Sequence, residues 1–216
     1  MTTPSPKTVI AHLDTWGVNY VLESGYSSPR IDPYDGGSRF EGIVVHHTAG
    51  RDSLALCLRG TYPPVRNCHF LVDRTGLVHV CSLIGAYHAG EGGPWTFTRP
   101  TPRYTVPKDM GNQHLYGIEI ESLGISGKID GSPEGMTIGQ VIAVGKLNAA
   151  LLDSMDRLSV DRVIRHRDWT PRKPVDPRQT LPFWRKVSQL AIDNKGKRIK
   201  TGYAIKAYVA TTPYAT

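Results

Sequence analysis

Gly42-Ile43-Val44-Val45-His46-His47-Thr48-Ala49 passes from small and β-branched apolar residues directly into two histidines. A short, unbroken apolar run of this kind reads as a strand buried on both faces in the middle of a sheet. Such a strand carries His46 to its end, where reactive groups commonly sit. Successive side chains on a strand point to opposite faces, so His47 diverges from His46 and reads as structural, or as a support to its neighbour. A second histidine stands far downstream, in Arg165-His166-Arg167-Asp168-Trp169-Thr170-Pro171-Arg172-Lys173-Pro174-Val175-Asp176-Pro177. Val160 to Arg165 should return as a short extended segment that presents His166, with Asp176 following across a proline-bounded loop.

Periodicity and turn chemistry set the remaining elements. Thr8 to Leu22 has apolar positions at mixed helical spacing and breaks into the turn formers of Ser24 to Arg30, which predicts a short helix and a loop. Ser53 to Arg59 reads as a brief helix stopped by Pro63-Pro64. Asn67 to Ser82 alternates and carries Asp73-Arg74-Thr75-Gly76 at its middle, the pattern of an antiparallel hairpin with glycine where positive φ is needed. Gly90 to Gln113 is long, irregular and proline-rich, which predicts a functional lid or disorder. Thr137-Ile138-Gly139-Gln140 has the form of a capping box and opens a helix to about Leu158. A last helix starts at Leu181-Pro182 and runs to about Asn194. Beyond it, Thr201 to Thr216 reads as a small strand, a linker or a disordered tail.

The 216 residues are 39% hydrophobic and 21% charged, enough for one sizeable core. A formal net charge of +7 favours an anionic partner, whether nucleic acid, acidic lipid or a phosphate-bearing polymer. No charged start leads into an apolar run and no eighteen-residue apolar stretch occurs, so neither a signal peptide nor a membrane span is expected. Cys57, Cys68 and Cys81 are odd in number and match no metal or redox spacing, which predicts reduced core thiols.

The chemistry lies in the two histidine stretches taken together. Catalytic zinc takes three protein ligands and keeps a fourth position for water, and His46, His166 and Asp176 supply two imidazoles and a carboxylate. Zinc lowers the pKa of bound water and polarises an amide carbonyl, but a proton carrier is still required. The strand Leu115-Tyr116-Gly117-Ile118-Glu119-Ile120-Glu121 puts Glu119 and Glu121 on one face. Glu119 is the candidate acid/base, while Glu121 reads as an exposed sheet carboxylate. Lys173 would bring positive charge to a developing oxyanion. His69 and His88 would line the cleft, contact substrate or orient a ligand, or else be structural residues.

Four ordered segments within Gly42 to Trp184 resemble the type 2 zinc N-acetylmuramoyl-L-alanine amidases, the family of phage endolysins and peptidoglycan recognition proteins. They are Val44 to Ala49, Cys68 to Gly76, Ala86 to Gly90 together with Tyr116 to Glu121, and His166 to Pro177. The resemblance implies an α/β fold with a mixed central β-sheet flanked by helices. It also implies zinc on His46, His166 and Asp176, with Glu119 as acid/base, and cleavage between the lactyl group of N-acetylmuramic acid and L-alanine. Cys68 stands where one branch has a catalytic tyrosine. Pro174 replaces a lysine usually found two residues before the third ligand, so Lys173 sits one position off.

On this reading residues 1–40 form an N-terminal helix and lead-in, 41–194 the catalytic domain, and 195–216 a basic tail or the start of a linker or wall-binding segment. The expected partners are bacterial peptidoglycan and anionic wall polymers, with no nucleic acid and no stable membrane insertion, for a monomer made in a host cytoplasm and released to the wall by a holin-type route. The competing readings are a non-hydrolytic peptidoglycan-binding module of the same fold, and a zinc peptidase or nuclease, against which the absence of an HExxH helix counts.

Overall fold

The computed structural model describes residues 3–28, 38–61 and 63–212. Six strands form one mixed sheet: β1 (Tyr20–Leu22), β2 (Gly42–His47), β3 (Phe70–Val72), β4 (Val78–Val80), β7 (Leu115–Ile120) and β8 (Val163–Arg165), in the order β1-β4-β3-β7-β2-β8. β5 (Trp95–Phe97) and β6 (Tyr104–Val106) pair separately. Only the β3–β4 hairpin is antiparallel within the large sheet; β7, β2 and β8 run side by side in parallel. Every residue of β2 is buried, as its unbroken apolar run requires.

The register of this parallel trio positions the site. His46 pairs with Glu119 on β7, and Val45 pairs with Arg165 on β8. The residue after Arg165 therefore falls beside His46. That residue is His166, which opens the short helix α5 (His166–Trp169). Asp168 fixes the start of α5 by accepting from the Arg165 backbone N–H at 3.0 Å and from its guanidinium at 2.6 and 2.8 Å.

Alternation divides the sheet into two faces. Ile43, Val45, Phe70, Val72, Tyr116, Ile118 and Ile120 pack with α1 (Pro6–Thr15), α4 (Ile138–Ser154), α6 (Leu181–Ile192) and α7 (Arg198–Thr211). Val44, Leu115 and Ile164 face the other way, against Phe97, Val106 and Trp169. Leu71 on that same side meets Cys57 of α2 (Leu54–Arg59), Cys68 and Cys81, and all three cysteines are free and buried. α4 lies between the sheet and the outer helices, so it is apolar nearly all round. Its capping box is formed: Thr137 Oγ1 accepts from Gln140 N at 3.0 Å, and Gln140 Oε1 accepts from Thr137 N at 2.9 Å.

Four expectations change. The first helix stops at Thr15, with Gly17 at φ 62°, and the chain then adds β1 at the sheet edge. Part of the loop expected at 24–30 lies outside the described residues. Residues 90–113 are not an irregular loop but contain the β5–β6 hairpin and the turn of helix α3 (Gly111–His114). The hairpin is strapped down. Arg162 donates to the Arg99 and Pro100 carbonyls at 2.8 and 3.2 Å, and Asp161 Oδ2 accepts from the Thr98 and Arg99 amides at 2.8 and 3.0 Å. Arg162 is itself held by the buried Glu41 carboxylate at 3.3 Å, which also receives Arg157 at 3.0 Å. Glu121 is buried rather than exposed, and its Oε1 accepts from the Asp52 amide.

The fourth change concerns the C-terminal tail, where α7 replaces the expected strand or linker and buries Ile205 and Val209 against α4 and α6. No described helix is long and apolar enough to cross a membrane. Ile205→Ala should lower unfolding stability by about 2–4 kcal/mol in a urea titration, as for other buried aliphatic truncations. A loss below about 0.5 kcal/mol, the size of a surface substitution, would mean that α7 is not part of the cooperative unit.

Candidate metal centre

At the C-terminal end of β2, His46, His166 and Asp176 each direct one ligand atom to a common point, all within 4.8 Å of one another. Nδ1 of His46 lies 2.9 Å from Nδ1 of His166, which lies 2.9 Å from Oδ2 of Asp176; His46 Nδ1 is 3.9 Å from the same oxygen. All three residues are buried. The other carboxylate oxygen of Asp176 accepts from the His47 backbone N–H at 2.8 Å, and the Asp176 carbonyl accepts from Arg167 N at 2.8 Å. The loop is thus tied to β2 and α5 together, and the carboxylate turns its second oxygen toward the imidazoles.

The far side of each ring decides which nitrogen carries hydrogen. His166 Nε2 is 3.1 Å from the Ala89 carbonyl, which can only accept. The hydrogen of His166 is therefore on Nε2, and its Nδ1 presents a lone pair. His88 Nε2 donates to the Leu115 carbonyl at 2.9 Å, so His88 Nδ1 accepts, at 3.1 Å, from His46 Nε2. His46 Nδ1 is then also unprotonated. With both rings neutral, two nitrogen lone pairs and a carboxylate oxygen converge on one point. An arrangement so repulsive by itself suits a cation, and the donor set of two imidazoles and a carboxylate fits a divalent transition ion.

Electrostatics agree with neutral rings at His46 and His88. Burial, reinforced by His166, lowers the His46 pKa to about 4. Burial and the neighbouring His46 push His88 well below the ordinary histidine value.

A groove of about 730 Å³ opens beside this point, lined by His47, Thr48, Tyr87, His88, Glu119, His166, Lys173 and Asp176 among others. A side pocket of about 200 Å³ extends it past Glu119 and Tyr87 toward Cys57 and Asn67. Glu119 projects from β7 on the His46 side of the sheet, and its Oε2 is shielded from solvent with no hydrogen-bond partner among the described residues. Burial first, then the Asp176 carboxylate, raises its pKa well above the ordinary value. Such a group takes up protons readily.

The sequence-predicted residues separate into two sets. His46, His166 and Asp176 meet, and Glu119, Lys173 and His88 line the groove beside them. His69 does not reach it: the ring is fully buried behind His88, Nδ1 accepts from Gly117 N at 3.0 Å, and Phe40 and Tyr116 pack on it edge to face. The structure thus puts His69 in the core, not against a ligand in the groove. Sequence reasoning missed Asn112, whose Oδ1 accepts from the amides of both His88 and Ala89 at 2.8 and 2.7 Å. A lone asparagine in a proline-rich stretch carries no sequence signal for this. It also missed why residue 117 is glycine: a Cβ there would come within 2.3 Å of the His88 ring.

Comparison with known proteins adds the following. The family described as N-acetylmuramoyl-L-alanine amidase matches residues 36–179. No curated protein matches the chain. AMPDH3 of Pseudomonas aeruginosa is similar in structure at 21% identity and a TM-score of 0.50, over 74% of this chain and 61% of that one, which speaks to the fold alone. The endolysin N-acetylmuramoyl-L-alanine amidase LysCS of Clostridium intestinale URNW aligns at 16% identity and a TM-score of 0.46, over 72% and 85%. LysC from the same organism aligns at 16% and 0.49, over 90% and 99%.

The convergent lone pairs predict a thermal-shift result. Zinc or cobalt at about a hundredfold its dissociation constant should stabilise the metal-free protein by about 2.7 kcal/mol, and His46→Ala or Asp176→Ala should abolish the shift. An equal shift in those variants would place the ion elsewhere.

Proposed function

The chain belongs to the N-acetylmuramoyl-L-alanine amidase family, and from that premise we propose that it hydrolyses the peptidoglycan amide between the lactyl group of N-acetylmuramic acid and L-alanine at a zinc ion held by His46, His166 and Asp176. The observation that carries the reading is the trio of ligand atoms converging at the end of β2, opening on a groove beside the half-buried Glu119. Zinc, when bound there, supplies Lewis acidity that activates water and polarises the scissile carbonyl.

The protein's own groups do the rest. Glu119 receives the proton of the attacking water on Oε2 and returns it to the departing amine of L-alanine. Its raised basicity suits the first half of that task, and the lack of a competing partner for Oε2 among the described residues leaves the atom open for both. Lys173 on the groove wall brings positive charge toward the oxyanion that develops at the carbonyl. A module that bound the wall without hydrolysing it would need the groove but not the convergent donors, nor a half-buried carboxyl beside them.

The biological role we attach to this chemistry is that of an endolysin acting as a monomer on the bacterial wall, with residues 41–194 as the catalytic unit. The formal net charge of +7 supports attraction to anionic wall polymers, which added salt should weaken.

Glu119→Gln should keep the metal and lose turnover by about 10²–10⁴-fold, read by wall clearing beside metal analysis of the same sample. Mass spectrometry of wild-type digests should find stem peptides with a free L-alanine N-terminus. New reducing sugars in their place would contradict the amidase assignment, and near-full activity of Glu119→Gln would remove Glu119 from its role.

A further inference from the structure

Both histidines of the centre depend on one dipeptide. His46 donates its outer N–H to His88 Nδ1 at 3.1 Å, and His166 donates its outer N–H to the carbonyl of the next residue, Ala89, at 3.1 Å. We propose that His88-Ala89 is the orienting element of the metal centre, and that His88 is a positioning residue for His46 rather than a group that binds substrate. The inference rests on the metal reading above and specifies what holds that site in its binding form.

The hydrogen-bond chain has one direction. It starts at the Leu115 carbonyl, which has no donor to offer, and passes through His88 Nε2 and Nδ1 to His46 Nε2. A reversed His88 would set the Nε2 lone pair against the Leu115 oxygen at 2.9 Å and turn the His46 hydrogen inward, onto the atom that must bind the ion. His88 therefore selects the tautomer of His46 through a backbone group that cannot switch. Both ring nitrogens of His88 are also committed. Although the residue lines the groove, it has no nitrogen left to offer a ligand.

The surroundings hold this dipeptide in place. Asn112 Oδ1 clamps the two consecutive amides of His88 and Ala89. The ring of His88 lies directly over the Cα of Gly117, in space that any side chain at 117 would fill. Ala89 is fully buried within the core on that side of the sheet, packed with Val44, Leu115, Ile164 and Trp169. The dipeptide is thus fixed from β7, from α3 and from the core. Partners that orient metal-binding histidines in this way commonly contribute 10–100-fold to metal affinity.

The test is zinc affinity of the full chain at one fixed pH, by competition with a chromophoric chelator, together with the visible spectrum of the cobalt form. His88→Leu keeps the volume and removes the acceptor; His88→Asn puts an amide oxygen close to where Nδ1 stood. We expect His88→Leu to bind zinc about 10–100-fold more weakly with an altered cobalt spectrum, and His88→Asn to recover most of both, while metal-free melting temperatures stay together. Should His88→Leu fail to fold, His88→Gln, whose amide reaches Leu115 but not His46, replaces it with the same expected loss. Wild-type affinity in the Leu variant, or a raised KM with unchanged metal binding, would overturn the proposal, as would equal losses in Leu and Asn. A wild-type chain that binds no zinc would overturn the metal reading as well.

Discussion

Two imidazole nitrogens and one carboxylate oxygen, each offering a lone pair when the rings are neutral, are held within 4.8 Å of one another in the buried end of the sheet. Left to themselves these atoms repel, and a flexible chain would separate them or place a proton between them. Both rings are held from outside by hydrogen bonds that end on backbone carbonyls, and the carboxylate is held by the amide of His47, so the chain cannot move the atoms apart. The fold stores an arrangement that a cation relieves, so ion binding and local stability are one property of this region.

The strands supply the frame. In the register of β7, β2 and β8, Glu119 lies across from His46 and Arg165 across from Val45, so the proton carrier and both imidazoles reach one end of the sheet. That register is fixed by burial, because a one-residue slip of β2 would send Ile43 and Val45 to the face that now carries His46. Beside β8, Glu41 with Arg162 and Arg157 forms a buried charged cluster that ties the β5–β6 hairpin to the sheet. The hairpin in turn braces the helix that presents His166, because Phe97 and Val106 pack on Trp169, the last residue of α5.

Much of this is legible in the sequence, and the reason differs from element to element. β2, the β3–β4 hairpin, α4 and α6 announce themselves through apolar runs, turn residues and caps, which are local signals. His46 and His166 stand out because each follows an extended apolar segment, and Asp176 because a proline-bounded loop can return it to them. Long-range features do not show. Asn112 matters only because its oxygen meets two amides from another segment, and His69 reads as a cleft residue in sequence because nothing local reveals its packing beneath His88. β1 and the β5–β6 strands are three residues each, as β3 and β4 are, but lack the Asp-Arg-Thr-Gly turn that marks that hairpin, and the apolar residues of α7 are spread around the helix, so its sequence lacks the one-sided pattern of a packed helix.

The central claim is about which atoms meet the ion, and diffraction at the zinc absorption edge from crystals grown with zinc addresses it directly. The account predicts one anomalous peak bonded to Nδ1 of His46, Nδ1 of His166 and Oδ2 of Asp176 at about 2.0–2.2 Å, with a fourth position toward the groove. A peak held through either Nε2 atom, or no peak at the end of β2, would contradict it.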